Sequence, residues 1–159
     1  MLYLDSSVLI KRYHAEAGTK ALNSKLEEEA RNLHSVFTSV LTYAEVHAAL
    51  ARLKKESRLS ADEAVETQDK FDTDWFFSIS PIDLGSGVLA FVRNIVANFP
   101  LRGADALHLA SALWLRDIAR LGVKSSQHAD PLVFASSDVQ LLKAALKHQI
   151  EVFNPETKK

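Results

Sequence analysis

Leu2–Tyr13, LYLDSSVLIKRY, is the stretch on which the reading of the whole chain turns. Leu2–Asp5 is an apolar run that ends on an acid and reads as a short buried strand. A helical pattern follows through Val8, Leu9 and Tyr13 and breaks near Gly18. In an open α/β sheet, a residue at such a junction lies at the carboxyl end of its strand, the edge where these folds bind ligands. Three more acids stand where an apolar run gives way to a helical pattern: Glu45 in TSVLTYAEV, Asp105 in RGADALHLA and Asp138 in VFASSDVQLL. Four carboxylates gathered at one edge repel each other, and the usual remedy is a hard divalent cation held by oxygen ligands. These residues point to metal-dependent chemistry on phosphate.

Outward from that stretch, helical and strand patterns alternate. Lys20–Leu33 is amphipathic, with Glu27, Glu28 and Glu29 read as a solvated face. Val36 and Phe37 mark a second strand. Leu41–Lys55 is a helix with a basic tail of Arg52, Lys54 and Lys55, suited to its negative end. Ser60 caps a helix running through Phe71 to about Trp75, with Glu63 placed for a capping box. Phe76–Ile82 is read as a third strand, Leu84–Phe99 and Ala104–Leu121 as helices, and Val123–Asp130 as a surface loop. Pro131–Ala135 is a fourth strand, Val139–His148 a helix and Glu151–Phe153 a last strand. Alternation of this kind predicts one α/β domain, a three-layer α/β/α sandwich around a mostly parallel sheet of four or five strands.

Composition narrows the class. The chain has 159 residues, 47% hydrophobic and 25% charged, and a formal net charge of -1. So balanced a chain has no bulk attraction for nucleic acid, and any binding surface must be local. It has no cysteine, which removes disulfides, thiolate metal sites and cysteine nucleophiles together. The opening stretch has an acid inside its apolar run and bases after it, the wrong order for a secretion signal. No apolar run is long enough for a membrane span, so a cytoplasmic location is expected.

Each acid also has a local explanation. Asp5 and Asp138 stand where a helix N-cap belongs. Glu45 follows Thr42 at capping-box spacing, and Asp105 lies in the first turn of its helix. Capping does not explain why such acids recur at separate junctions. Right-handed crossovers bring those junctions to one edge of a parallel sheet.

The same segments resemble the PIN domain, and within it the VapC-type toxins of toxin–antitoxin pairs. LYLDSSVLIKRY resembles the opening strand and first helix of that family. FTSVLTYAEVHAALAR, RGADALHLASAL and VFASSDVQLLKAA resemble its second, third and fourth motifs, and IEVFNPE its last strand. The resemblance implies a ribonuclease dependent on Mg²⁺ or Mn²⁺, with Asp5, Glu45, Asp105 and Asp138 as its acidic quartet. Asp5, Asp105 and Asp138 would hold metal, and Glu45 would hold or orient the attacking water. Ser6 and Ser136 match the family's supporting hydroxyls. The stretch ARLGVKSSQHAD is longer than the family pattern, which leaves Asp117 and Asp130 as rivals to Asp138. Asp138 is preferred because a strand leads straight into it. The resemblance further implies an RNA substrate, a homodimer and inhibition by a cognate antitoxin.

Phosphate contacts need cations, and the candidates are Lys11, Arg12, Arg52 and Arg102, with Lys54 and Lys55 read as solvated. His108 is read as a structural histidine one turn after Asp105. Phe71, Trp75, Phe76 and Phe77 are read as core or subunit contact. A haloacid-dehalogenase reading fails because Ser7 stands where a second acid is required. No phosphate-binding glycine loop is present. An RNA-maturation or quality-control PIN nuclease and a PIN-like domain that binds RNA or protein without cutting remain as alternatives.

Overall fold

A computed structural model of the chain describes residues 1–32, 35–122 and 131–157. Five strands form one sheet: β1 (Leu2–Leu4), β2 (Val36–Ser39), β3 (Ile79–Ile82), β4 (Val133–Ala135) and β5 (Glu151–Phe153). Their order is β3-β2-β1-β4-β5 and every pairing is parallel. Seven helices connect them: α1 (Ser6–Leu9), α2 (Thr19–Arg31), α3 (Leu41–Lys55), α4 (Ala61–Phe77), α5 (Ser86–Asn98), α6 (Gly103–Gly122) and α7 (Val139–Lys147). A 3-10 turn, Ile10–Arg12, extends α1.

β1 is central, which explains why all three of its residues are apolar and fully buried. Its side chains alternate between faces. Leu2 and Leu4 join Val8, Leu22, Val46, Leu50, Phe71 and Trp75 on one face, under α1 to α4. Tyr3 joins Leu109, Leu113, Phe134 and Leu141 on the other, under α5 to α7. The result is the expected three-layer α/β/α arrangement. The chain builds outward from β1 through β2 to β3, then crosses back to lay β4 on the opposite side of β1. The strand order therefore reverses between β1 and β4, and in such sheets the crevice outside their carboxyl ends is the ligand site.

Several boundaries follow the sequence closely. α3 spans Leu41–Lys55 as expected, and Ser60 and Glu63 form a reciprocal capping box at the start of α4. Two readings need correction. Phe76 and Phe77 close α4 instead of opening β3, and both are exposed, Phe77 at 85%. Among the described residues strand pairing begins where Ile79 faces Val36, and Phe76 and Phe77 belong to the last turn of α4. Glu29 is buried and paired with Lys25 Nζ at 2.8 Å, whereas Glu27 and Glu28 are exposed and Glu28 shares the same Lys25 at 3.2 Å. Successive helical residues turn by about 100°, so three in a row cannot share one solvated face. Leu33 and the 123–130 stretch lie outside the described residues.

Candidate active site

Asp5 follows β1 directly and its N–H continues the ladder to the Ala135 carbonyl at 3.1 Å. It caps α1, its Oδ1 accepting the Val8 N–H at 3.0 Å and the Ser7 hydroxyl at 2.7 Å. Its Oδ2 accepts the Ser136 hydroxyl at 2.6 Å, from just beyond β4. Ser136 in turn accepts the Asp138 N–H at 2.9 Å, and Ser7 accepts the Ser137 N–H at 3.0 Å. Two hydroxyls thus stitch the ends of β1 and β4 together at the switch point. Asp5 is only 4% exposed, and burial pushes its carboxyl above the usual range. His108 and the donors Ser136, Ser7 and Val8 pull the other way without cancelling that rise.

Glu45 comes from the first turns of α3. Its capping-box spacing to Thr42 is not used, because α3 starts at Leu41 and the Thr42 hydroxyl bonds Thr38 at 2.7 Å. Glu45 Oε2 instead accepts His108 Nε2 at 2.8 Å, and Ser6 also donates to the carboxylate. Burial alone would raise the Glu45 carboxyl, but His108 and Ser6 outweigh it and hold it below the usual range. His108 Nδ1 meets the Tyr3 hydroxyl at 3.0 Å.

Asp105 sits in the first turn of α6, where its carboxylate takes the Arg102 N–H. Its carboxyl is raised by burial first and then by the negative charge of Asp138, so these two acids feel each other across the edge. Asp138 is exposed and caps α7, accepting the N–H groups of Gln140 at 2.7 Å and Leu141 at 3.0 Å. Asp5 and Asp138 follow the carboxyl ends of β1 and β4, and Glu45 and Asp105 lie in the first turns of α3 and α6. Among the described residues, no three Asp, Glu or His side chains stand at coordination distance around one point. The donors are all carboxylate and hydroxyl oxygens, and Asp105 gains from a cation that offsets Asp138, so their chemistry fits a hard divalent ion.

The cations divide. Arg102 is exposed beside Asp105 and its charge reaches that carboxyl. Arg52 is exposed on α3, about 10 Å along the helix from Glu45. Lys11 is buried, with Nζ 3.0 Å from Glu16 and 2.8 Å from Glu156. Arg12 pairs with Asp74 at 2.7 Å beside a 330 Å³ cavity that includes Val36 and Ile79, at the amino ends of β2 and β3. Asp117 lies within α6, about 18 Å along the helix from Asp105, and pairs with Arg116 at 3.0 Å. Asp130 lies outside the described residues.

The family model of the PIN domain matches residues 2–145. The chain belongs to the PIN domain family. Ribonucleases VapC45 and VapC49 of Mycobacterium tuberculosis are each 32% identical to it over 117 residues, 74% of this chain and 78% of theirs. Among solved structures, FitAcB from Neisseria gonorrhoeae matches 99% of this chain and 100% of its own at TM-score 0.70 and 18% identity. VapBC2 from Rickettsia felis, bound to a DNA fragment from their promoter, matches 97% and 98% at TM-score 0.66 and 12% identity. At those identities the two structures establish the shared PIN fold.

Within this PIN domain, the residues that sequence reasoning passed over are Ser7 and Tyr3. Ser7 lies two positions from Asp5 and had been used only to exclude a phosphatase. Tyr3 looked like strand core, and its stacking on Phe134, centroids 5.2 Å apart, agrees. Nothing in the local pattern signals that its hydroxyl reaches His108. His47, two positions from Glu45, bonds Asp72 of α4 at 3.0 Å.

Proposed function

We propose that this chain is a divalent-metal-dependent endoribonuclease that hydrolyses RNA phosphodiester bonds, and the toxin of a type II toxin–antitoxin pair. What supports this most is that Asp5 and Asp138 follow neighbouring strands at the switch point, with Asp105 close enough to feel the charge of Asp138 and Glu45 bonded to His108 of the same helix as Asp105. The relatives named Ribonuclease VapC support RNA as the substrate, and the likeness to VapBC2 supports a cognate antitoxin.

In this reading Asp5 and Asp105 hold the principal cation, Mg²⁺ or Mn²⁺, with Asp138 beside them. The chemistry such an ion supplies when bound is Lewis acidity toward water and toward the phosphoryl oxygens. Glu45, ionised and partly open to solvent, orients the attacking water and accepts its proton. Ser136 and Ser6 keep Asp5 and Glu45 in register. Arg102 and Arg52 contact phosphates of the RNA strand, whereas the paired charges of Lys11 and Arg12 brace the first helix. The protein works as a homodimer, and a guanidinium of the antitoxin enters the acidic edge to silence it.

Incubation of purified protein with structured RNA tests this. Cleavage is expected with Mg²⁺ or Mn²⁺, none in EDTA, and none with Asp5→Asn at unchanged far-UV circular dichroism. Cleavage by the folded Asn variant, or in EDTA, contradicts the proposal. Growth arrest relieved by a co-expressed neighbouring reading frame tests the toxin assignment separately.

A further inference from the structure

Backbone N–H groups help to orient three of the four acids: Val8 for Asp5, beside the Ser7 and Ser136 hydroxyls, Arg102 for Asp105, and Gln140 and Leu141 for Asp138. Glu45 is held by side chains instead, His108 and Ser6. It is also the longest of the four and remains 29% exposed. A free Glu side chain samples many rotamers, and fixing one costs conformational entropy.

The bond that fixes it joins two layers. α3 packs on the Leu2 and Leu4 face of the sheet and α6 on the Tyr3 face, so Glu45 and His108 meet across the carboxyl edge. His108 is only 2% exposed. A carboxylate oxygen only accepts, so His108 Nε2 must carry the hydrogen. The Tyr3 oxygen has Ser111 and the Ser39 N–H beside it, and its hydroxyl meets His108 Nδ1 at 3.0 Å. A ring with its hydrogen on Nε2 accepts the tyrosine's hydrogen at Nδ1, which serves both contacts. Tyr3 itself lies buried and stacked on Phe134, so its hydroxyl has one place to be. An apolar side chain in place of His108 would fill the same core without burying two polar groups.

We infer that His108 is a positioning residue of the site, holding the Glu45 carboxylate over the acidic edge and aimed in turn by Tyr3. It serves catalysis only if the acids form the nuclease site proposed above. By orienting the carboxylate before substrate arrives, it lowers the reorganisation the reaction needs.

Two measurements test this, one of them independent of activity. In metal-free wild-type protein, ¹⁵N–¹H correlation of the imidazole should show the Nε2–H tautomer. Its Nε2 resonance should move in Glu45→Gln and its Nδ1 resonance in Tyr3→Phe. An Nδ1–H tautomer, or an Nε2 resonance indifferent to Glu45→Gln, overturns the inference. In RNA cleavage, His108→Leu should lower kcat by about 10- to 100-fold with KM changed less than about twofold. His108→Gln, which keeps an N–H donor, should recover most of that loss. In a Glu45→Gln background, His108→Leu should cost nothing further. Wild-type kcat in folded His108→Leu, or additive losses in the double variant, overturns the inference. If His108→Leu does not fold, His108→Gln and Tyr3→Phe carry the kinetic comparison: near-wild-type kcat in the first and a lower one in the second support it, and the reverse order contradicts it. Failure of wild-type protein to cleave any RNA removes the nuclease reading, while the imidazole spectrum still decides the geometry.

Discussion

The Ser136 hydroxyl donates to Asp5 Oδ2 at 2.6 Å, and through this bond the end of β4 fixes the acid at the end of β1. Because the same oxygen accepts the Asp138 N–H, one hydroxyl serves both sides of the crevice. Ser136→Ala removes the donor to a buried charge and leaves that N–H without its acceptor. We expect a stability loss of about 2 kcal/mol in urea denaturation. RNA cleavage should fall roughly 10- to 100-fold, as when partners of metal-binding carboxylates are removed. Undiminished cleavage would mean that Asp5 needs no such support.

Asp5 predicts an inverted pH dependence. Burial raises its folded pKa above the unfolded value of about 3.9. Within the window between those two values the folded state binds the extra proton, so stability contributed by this group falls as pH rises. Wild-type protein in EDTA should therefore lose stability relative to Asp5→Asn as pH climbs from about 4 through the raised value, and hold a constant difference above it. Denaturant midpoints of the two proteins across that range measure it. A difference that shrinks with rising pH would show that the hydrogen bonds to Asp5, not its burial, dominate.

Lys11 and Arg102 should separate stability from binding. Lys11→Met leaves Glu16 and Glu156 without their cation, costing about 1–2 kcal/mol once the partial exposure of those carboxylates is allowed for. Its RNA affinity, measured in an Asp5→Asn background to prevent cutting, should not change. Arg102→Glu should do the opposite, leaving the fold intact while weakening RNA binding and flattening its salt dependence by about one unit of log–log slope. Fluorescence anisotropy over a salt series reads both.

Gly18 has φ +89, and a Cβ there would stand 3.0 Å from Pro155. Gly18→Ala should cost about 1–2 kcal/mol for the left-handed backbone alone. The collision should also release Asn154–Thr157 from the α1–α2 connection, visible as faster hydrogen exchange in that segment. Unchanged exchange would show that the tail relaxes without detaching.

Much of the scaffold was legible because its signals are local. The period of Leu41–Lys55 with its basic end, the Ser60 and Glu63 pair, and the apolar run into Asp5 each need only a few consecutive residues. Asp5 and Asp138 were legible for the same reason, since each follows a strand segment and caps the helix after it. What escaped depends on the third dimension. Phe76 and Phe77 have high strand propensity, but they continue the seventeen-residue α4, and propensity yields to that context. Lys11 looks like a phosphate ligand until Glu156, far along the chain, is folded against it. Tyr3 and His108 are separated by 105 positions, and no periodicity links them.

The convergence of the acids on one cation is tested most directly by anomalous diffraction from crystals soaked in Mn²⁺. The expected result is a manganese peak at the carboxyl edge of β1, within ligand distance of Asp5 and Asp105 and beside Asp138, and lost in Asp5→Asn. Manganese bound elsewhere, or an edge where the acids stay apart with no ion between them at saturating Mn²⁺, would contradict it.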